Sequence, residues 1–168
     1  YASRILIPAF KKAASQLHTI VTSGGINGVI HGEKAGFAEA STDIDALLNN
    51  KDVNTVAIAT RHNSHAYFVE KALLTGKNVF VEKPLALTVE EIEKVEQAYN
   101  HNIENKQYAR VMVGFNRRFA PQVQKMKALL DTVKEPKSFI MTMNAGAIPA
   151  DHWTQDNAVG GGRIIGEA

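Results

Sequence analysis

The sequence contains no cysteine. Disulfides, thiolate chemistry and cysteine-ligated zinc are thereby excluded, and the composition is compatible with a cytoplasmic protein in a reducing compartment. Long hydrophobic runs are absent too: none approaches the roughly 18 residues of a membrane-spanning helix, and no signal-peptide pattern opens the chain. Charge of neither sign dominates, since 19 Lys and Arg against 17 Asp and Glu leave a formal charge of +2. With no basic run and no interleaving of basic and aromatic residues, neither nucleic acid nor a membrane is an expected partner. Internal repeats and low-complexity segments are lacking. So are a start methionine and an opening strand, because Tyr1 to Ser3 run directly into a helical pattern. The chain reads as a piece of a longer protein.

What is present suffices for a folded core, with 45% of the 168 residues hydrophobic and 21% charged. Apolar spacing predicts a helix over 2–16, a strand over 18–23 ended by Gly24-Gly25, a helix over 27–34 and a short strand over 37–40. Thr42 and Asp45 have capping-box spacing before a helix through Leu47 and Leu48. A strand over 55–60, a helix over 64–75 and a strand over 79–81 follow. A helix opened by a Thr88/Glu91 capping box and running to Asn102, then a strand over 111–114, complete the alternation. Strand and helix in strict alternation predict an α/β fold, a Rossmann-like doubly wound parallel sheet. From Pro121 the pattern changes. One more helix carries Val123, Met126, Leu129 and Leu130. Ser138 to Asn144 then sets Phe139, Met141 and Met143 against Ile140, Thr142 and Asn144, the pattern of a half-buried strand in a different sheet. The predicted division is a Rossmann-like domain over 1–118, lacking its first strand, and the start of an α+β domain over 119–168.

The rest is organised around Lys77 to Pro84, read Lys-Asn-Val-Phe-Val-Glu-Lys-Pro. After the turn at Gly76, Val79 to Val81 read as a buried strand that runs into two opposite charges and a proline. Carboxyl ends of parallel strands are where such sheets place their chemistry. Pro84 cannot continue a central ladder and restricts the residue before it, so Lys83 is held by a stiff element. A partly desolvated lysine also releases its proton more readily than a solvated one. The plainer reading, a solvated Glu82/Lys83 pair capping a strand, stands beside it.

Glu82-Lys83-Pro84, with Gly114-Phe115-Asn116-Arg117-Arg118-Phe119 one helix later, resembles the sugar oxidoreductase family that contains glucose-fructose oxidoreductase and inositol 2-dehydrogenase (Gfo/Idh/MocA). The resemblance extends over nearly the whole chain. It implies an enzyme using NAD or NADP to oxidise or reduce a CH–OH group of a sugar or sugar nucleotide, homo-oligomeric at full length. It also implies a substrate and dimerisation domain starting after residue 118. Lys83 then takes the catalytic place, contacting the nicotinamide ribose and the reacting hydroxyl. The turn Thr60, Arg61, His62 and His65 lies along the dinucleotide, Glu82 orients backbone or cofactor, and Asn116 and Arg117 shape the crevice. For His65 the competing reading is a first-turn residue bonding nearby backbone.

A dinucleotide fingerprint is a Gly-x-Gly-x-x-Gly/Ala turn whose amides hold the pyrophosphate. Here Ala2 takes its last place with Tyr1 before it, and both leading glycines are missing. The expected acid for NAD or base for NADP after the second strand is also absent from Val21-Thr22-Ser23-Gly24-Gly25, which leaves Ser23 as the candidate contact and the cofactor choice open. His152 and Trp153, in Ile148 to Asp156, suit stacking on and bonding a sugar ring; a Trp packed at a domain junction is the alternative. With Gly160-Gly161-Gly162, that loop resembles the sugar-nucleotide and polysaccharide-biosynthesis branch of the family. The family's Asp after the triple glycine falls at Gly166, and its His falls at position 170, after Ala168. These residues alone are therefore expected to be inactive, and a non-catalytic homologue that senses a dinucleotide or sugar is the rival reading. A metal at His62, His65, Asp151 and His152 is not expected, because two histidines three apart in a turn make a poor zinc site.

Overall fold

A computed structural model describes residues 2–144 and 146–167, the last without its side chain. Five short strands, β1 (Thr19–Val21), β2 (Glu39–Ser41), β3 (Thr55–Ile58), β4 (Asn78–Val81) and β5 (Val111–Val113), are separated by helices α2 (Ile26–Ala35), α3 (Ile44–Asn49), α4 (His65–Leu74) and α5 (Val89–Glu104). All strand pairs are parallel, with Thr19 opposite Glu39, Ile58 opposite Val81 and Val81 opposite Val113.

The strands form two sheets, β1–β2 and β3–β4–β5, rather than the single sheet that alternation predicts. A doubly wound nucleotide sheet has the order 3-2-1-4-5-6. Numbering the five strands two to six reproduces that order, with the place of strand one between β1 and β3. Among the described residues no strand fills it, and the two sheets are joined by side-chain packing of Val21 and Ile44 on the common core.

Val56 and Ile58 of β3 and Val79 and Val81 of β4 are buried against Ala66, Val69, Ala72 and Leu73 of α4 and Val95 and Ala98 of α5. The opposite face of β4 carries Phe80, whose ring meets Phe10 of α1 (Ile7–Lys12) edge-on at 5.5 Å. Helices on both faces explain the near-continuous apolar run in β4.

Local expectations differ from the structure in five places. The first helix divides into a π-helical turn (Ala2–Leu6) and α1, and stops short of residue 16 because Ala14 adopts φ 60°. α3 is capped by the Asp43 carboxylate, which accepts from Ala46 N at 2.9 Å, and not by Thr42. At α5 the Thr88 hydroxyl accepts from Glu91 N at 3.2 Å as expected, but the Glu91 carboxylate reaches back past Thr88 to Leu87 N at 2.7 Å. The strand predicted over Ser138 to Asn144 is not formed. Ile140 is 98% exposed, and no described segment pairs with it. Alternation marks two faces but supplies no partner, and an unpaired strand keeps no ladder. The stripe on α6 (Pro121–Leu130) is mostly solvent-facing for the same reason, with Met126 and Leu129 exposed.

Asn102 is fully buried on α5. Its amide donates to Leu73 O and to Gln107 Oε1, both at 3.0 Å, and its carbonyl accepts from Ala109 N at 2.7 Å. It therefore ties α4 to the entry of β5. Asn102→Leu strands those groups, and we expect a loss of about 2–3 kcal/mol, read from chemical denaturation.

Candidate functional site

Lys83 follows the last ladder bond of β4, Glu82 N to Ile58 O at 2.9 Å. It stands on a strand end and not on a helix, and its bond to Pro84 is cis. The side chain is half-buried, and Nζ donates to Gly166 O. Beside it, the turn after β3 forms a 3₁₀ segment, His62–Ser64. His62 and Lys83 line one small cavity of about 90 Å3, closed by Thr154, Gly162, Arg163 and Gly166.

The cavity wall is built by residues 153–167 folding back on the β3 turn. Asn63 N donates to Val159 O at 3.1 Å, and His62 Nδ1 donates to Gly160 O at 2.8 Å. The His62 ring meets Trp153 edge-on at 4.8 Å, while the Arg61 guanidinium lies 5.9 Å from the Trp153 ring centre. Two glycines are dictated by close approach. A Cβ on Gly160 would lie 2.3 Å from Thr154 Cα, and one on Gly166 would lie 3.0 Å from Gly160 O and 3.3 Å from the His62 ring. Gly166, which stands where the family resemblance calls for Asp, is therefore tightly packed.

The other expected site residues fall as follows. Thr60 is exposed, its hydroxyl 2.7 Å from that of Ser64. The Glu82 carboxylate turns towards Gly114 at the end of β5; a Cβ on Gly114 would lie 3.2 Å from it. His65 opens α4 beneath the surface, 1% exposed, with Nδ1 2.7 Å from Pro84 O and Nε2 3.1 Å from Thr60 O. That is the backbone-bonding alternative: both ring nitrogens face main-chain carbonyls, and His65 does not line the Lys83 cavity. His152 is exposed beside Thr154, with 2.8 Å between Nδ1 and Oγ1. Asn116 and Arg117 begin an exposed 3₁₀ turn, and Arg117 donates to Met143 Sδ at 2.6 Å. They do not line the Lys83 cavity, and neither do Ala2 and Ser23. Tyr1 lies outside the described residues. Sequence reasoning missed Thr154 and Arg163 in the cavity wall. The only signal for Arg163 was its place directly after the triple glycine.

Among the described residues no group of three His, Asp or Glu forms a metal centre, and no helix is long and apolar enough to cross a membrane. Parallel strands with polar side chains gathered at their carboxyl ends define a nucleotide-binding α/β protein. The chain belongs to the oxidoreductase family with an NAD-binding Rossmann fold (Gfo/Idh/MocA), whose family model matches residues 7–115. It is 32% identical over 126 residues to Oxidoreductase P35 of Formosa agariphila, covering 74% of this chain and 38% of that protein. Inositol 2-dehydrogenase of Rhizobium meliloti is 33% identical over 88 residues, covering 52% of this chain and 25% of that one. Among solved structures, scyllo-inositol dehydrogenase from Lactobacillus casei superposes with a TM-score of 0.62 at 28% identity, over 69% of this chain and 33% of that chain. A mutant of KijD10, a 3-ketoreductase from Actinomadura kijaniata in complex with TDP-benzene and NADP, superposes with a TM-score of 0.75 over 98% of this chain and 50% of that one. At 23% identity it speaks to the fold alone. The chain spans well under half the length of the curated relatives named here.

Proposed function

We propose that the chain serves a nicotinamide-dependent oxidoreductase that moves a hydride between the cofactor and a CH–OH carbon of a sugar or sugar nucleotide. The observation that carries this reading is Lys83 on the end of β4, sharing a cavity with His62 of the neighbouring turn. An ammonium there donates a hydrogen bond to a hydroxyl or carbonyl oxygen and relays its proton. Thr60, Glu82 and Lys83, on the ends of adjacent strands, suit the nicotinamide half of NAD or NADP, and when bound that cofactor supplies the hydride chemistry. The protein's part is to position the oxygen, hold the proton and exclude water. Trp153, braced by His62 and Arg61, is the aromatic side chain for stacking on a sugar ring. The substrate and dimerisation domain starts near residue 119, and the full assembly is a homo-oligomer.

A second reading, a non-catalytic sensor of dinucleotide or sugar, draws on Gly166, which carries no carboxylate and is closely packed against Gly160 and His62. One assay separates the two. The complete gene product is incubated with NADH or NADPH, or their oxidised forms, across inositols, aldoses, ketoses and nucleotide sugars, while nicotinamide absorbance is followed. Turnover on at least one of these supports the oxidoreductase. Saturable cofactor binding with no turnover on any of them supports the sensor.

A further inference from the structure

Beyond the last ladder bond, Glu82 N to Ile58 O at 2.9 Å, the chains leaving β3 and β4 are tied together by one imidazole. His65 faces Pro84 O with Nδ1 at 2.7 Å and Thr60 O with Nε2 at 3.1 Å. Both partners are carbonyls, which only accept. A neutral ring donates to one of them and a doubly protonated ring to both. Lys83 lies between the two ties: the residue before it is held by the ladder and the residue after it by the imidazole. A lysine side chain has four rotatable bonds, so its ammonium group is placed only as well as the backbone that carries it. We propose that His65 is a positioning residue, a clamp between the β3 and β4 turns that fixes where the Lys83 ammonium stands. The inference rests on the catalytic reading of Lys83.

Satisfying backbone carbonyls is something any donor does, so the test has to separate positioning from mere stability. Two variants are made in the complete gene product: His65→Leu, which removes the imidazole and its donor capacity, and His65→Gln, which keeps an amide donor. Lysine acetylation by a soluble active ester is followed by peptide mass spectrometry, with Lys77 as internal control. Lys77 is 8% exposed and bound through Nζ to Asn50 O and Val53 O, so it reports loss of the fold. We expect His65→Leu to raise labelling of Lys83 about fivefold while Lys77 is unchanged, as a local opening does, and His65→Gln to recover most of the protection. In turnover, His65→Leu lowers kcat about 100-fold with cofactor Kd unaltered, the cost of a misplaced catalytic group. Lys83 labelling that does not change, Lys77 labelling that rises in step, or a Gln variant identical to the Leu variant overturns the proposal. Absence of turnover in the unaltered protein refutes the oxidoreductase reading instead, and the labelling still decides the clamp.

Discussion

Replacing Lys83 by Met in the complete gene product is expected to lower kcat by about 1,000-fold, within the range lost with a positioned proton-transfer group. Methionine keeps the length and apolar stem but removes the donor. In the structure Nζ donates to Gly166 O and lines the cavity beside His62, and the residue is only half-buried. The thermal midpoint should therefore hardly move, and nucleotide titration should give a Kd within about threefold of the original, since the phosphates and adenosine of a dinucleotide contact other parts of a Rossmann sheet. A variant that keeps a tenth or more of the turnover would remove Lys83 from the chemistry.

Gly160→Ala carries the second large effect. The added methyl meets Thr154 Cα at 2.3 Å, and since that neighbour is backbone no side-chain rotation relieves it. The segment must lift. Lifting it breaks the Asn63 N to Val159 O bond at 3.1 Å, the His62 bond to Gly160 O at 2.8 Å and the His62–Trp153 ring contact at 4.8 Å. At about 1 kcal/mol for each hydrogen bond and about 0.5–1.5 for the ring pair, the docking loses some 3 kcal/mol. Trp153 is the only tryptophan, so its emission reports this directly. We expect a shift to longer wavelength in Gly160→Ala, with kcat/KM for substrate down about 100-fold and little change in cofactor binding. Unchanged emission would mean that the loop tolerates the methyl and that the Gly-rich segment is not dictated by this approach.

Much of the sheet was legible because β3, β4 and α4 are strongly patterned: apolar runs end at polar turns, and the buried positions of α4 recur at helical spacing. The Thr88 cap on α5 was legible because its chemistry is local. What sequence could not supply was pairing. Residues 138–144 alternate like a strand, yet nothing in their own side chains provides a neighbour to bond. The break between β1 and β3 falls at the place of strand one, which the pattern of elements already lacked. In the candidate site, the placement of Lys83 and the β3 turn after strands was legible from the apolar runs that precede them. For His65 the sequence offered both a cofactor contact and a bond to nearby backbone and could not choose between them, because its partners are backbone carbonyls, which leave no trace in residue identity. Arg163 and the crowding at Gly166 depend on a fold-back of residues 153–167 over the β3 turn, a contact nearly 100 residues apart.

Diffraction from crystals of the complete gene product grown with NADH tests the central claim most directly. The account predicts the nicotinamide ribose in the crevice between the turn at Thr60 and the end of β4, with the Lys83 ammonium within about 3 Å of a ribose hydroxyl. A nicotinamide bound elsewhere, with Lys83 pointing away from it into solvent, would contradict it.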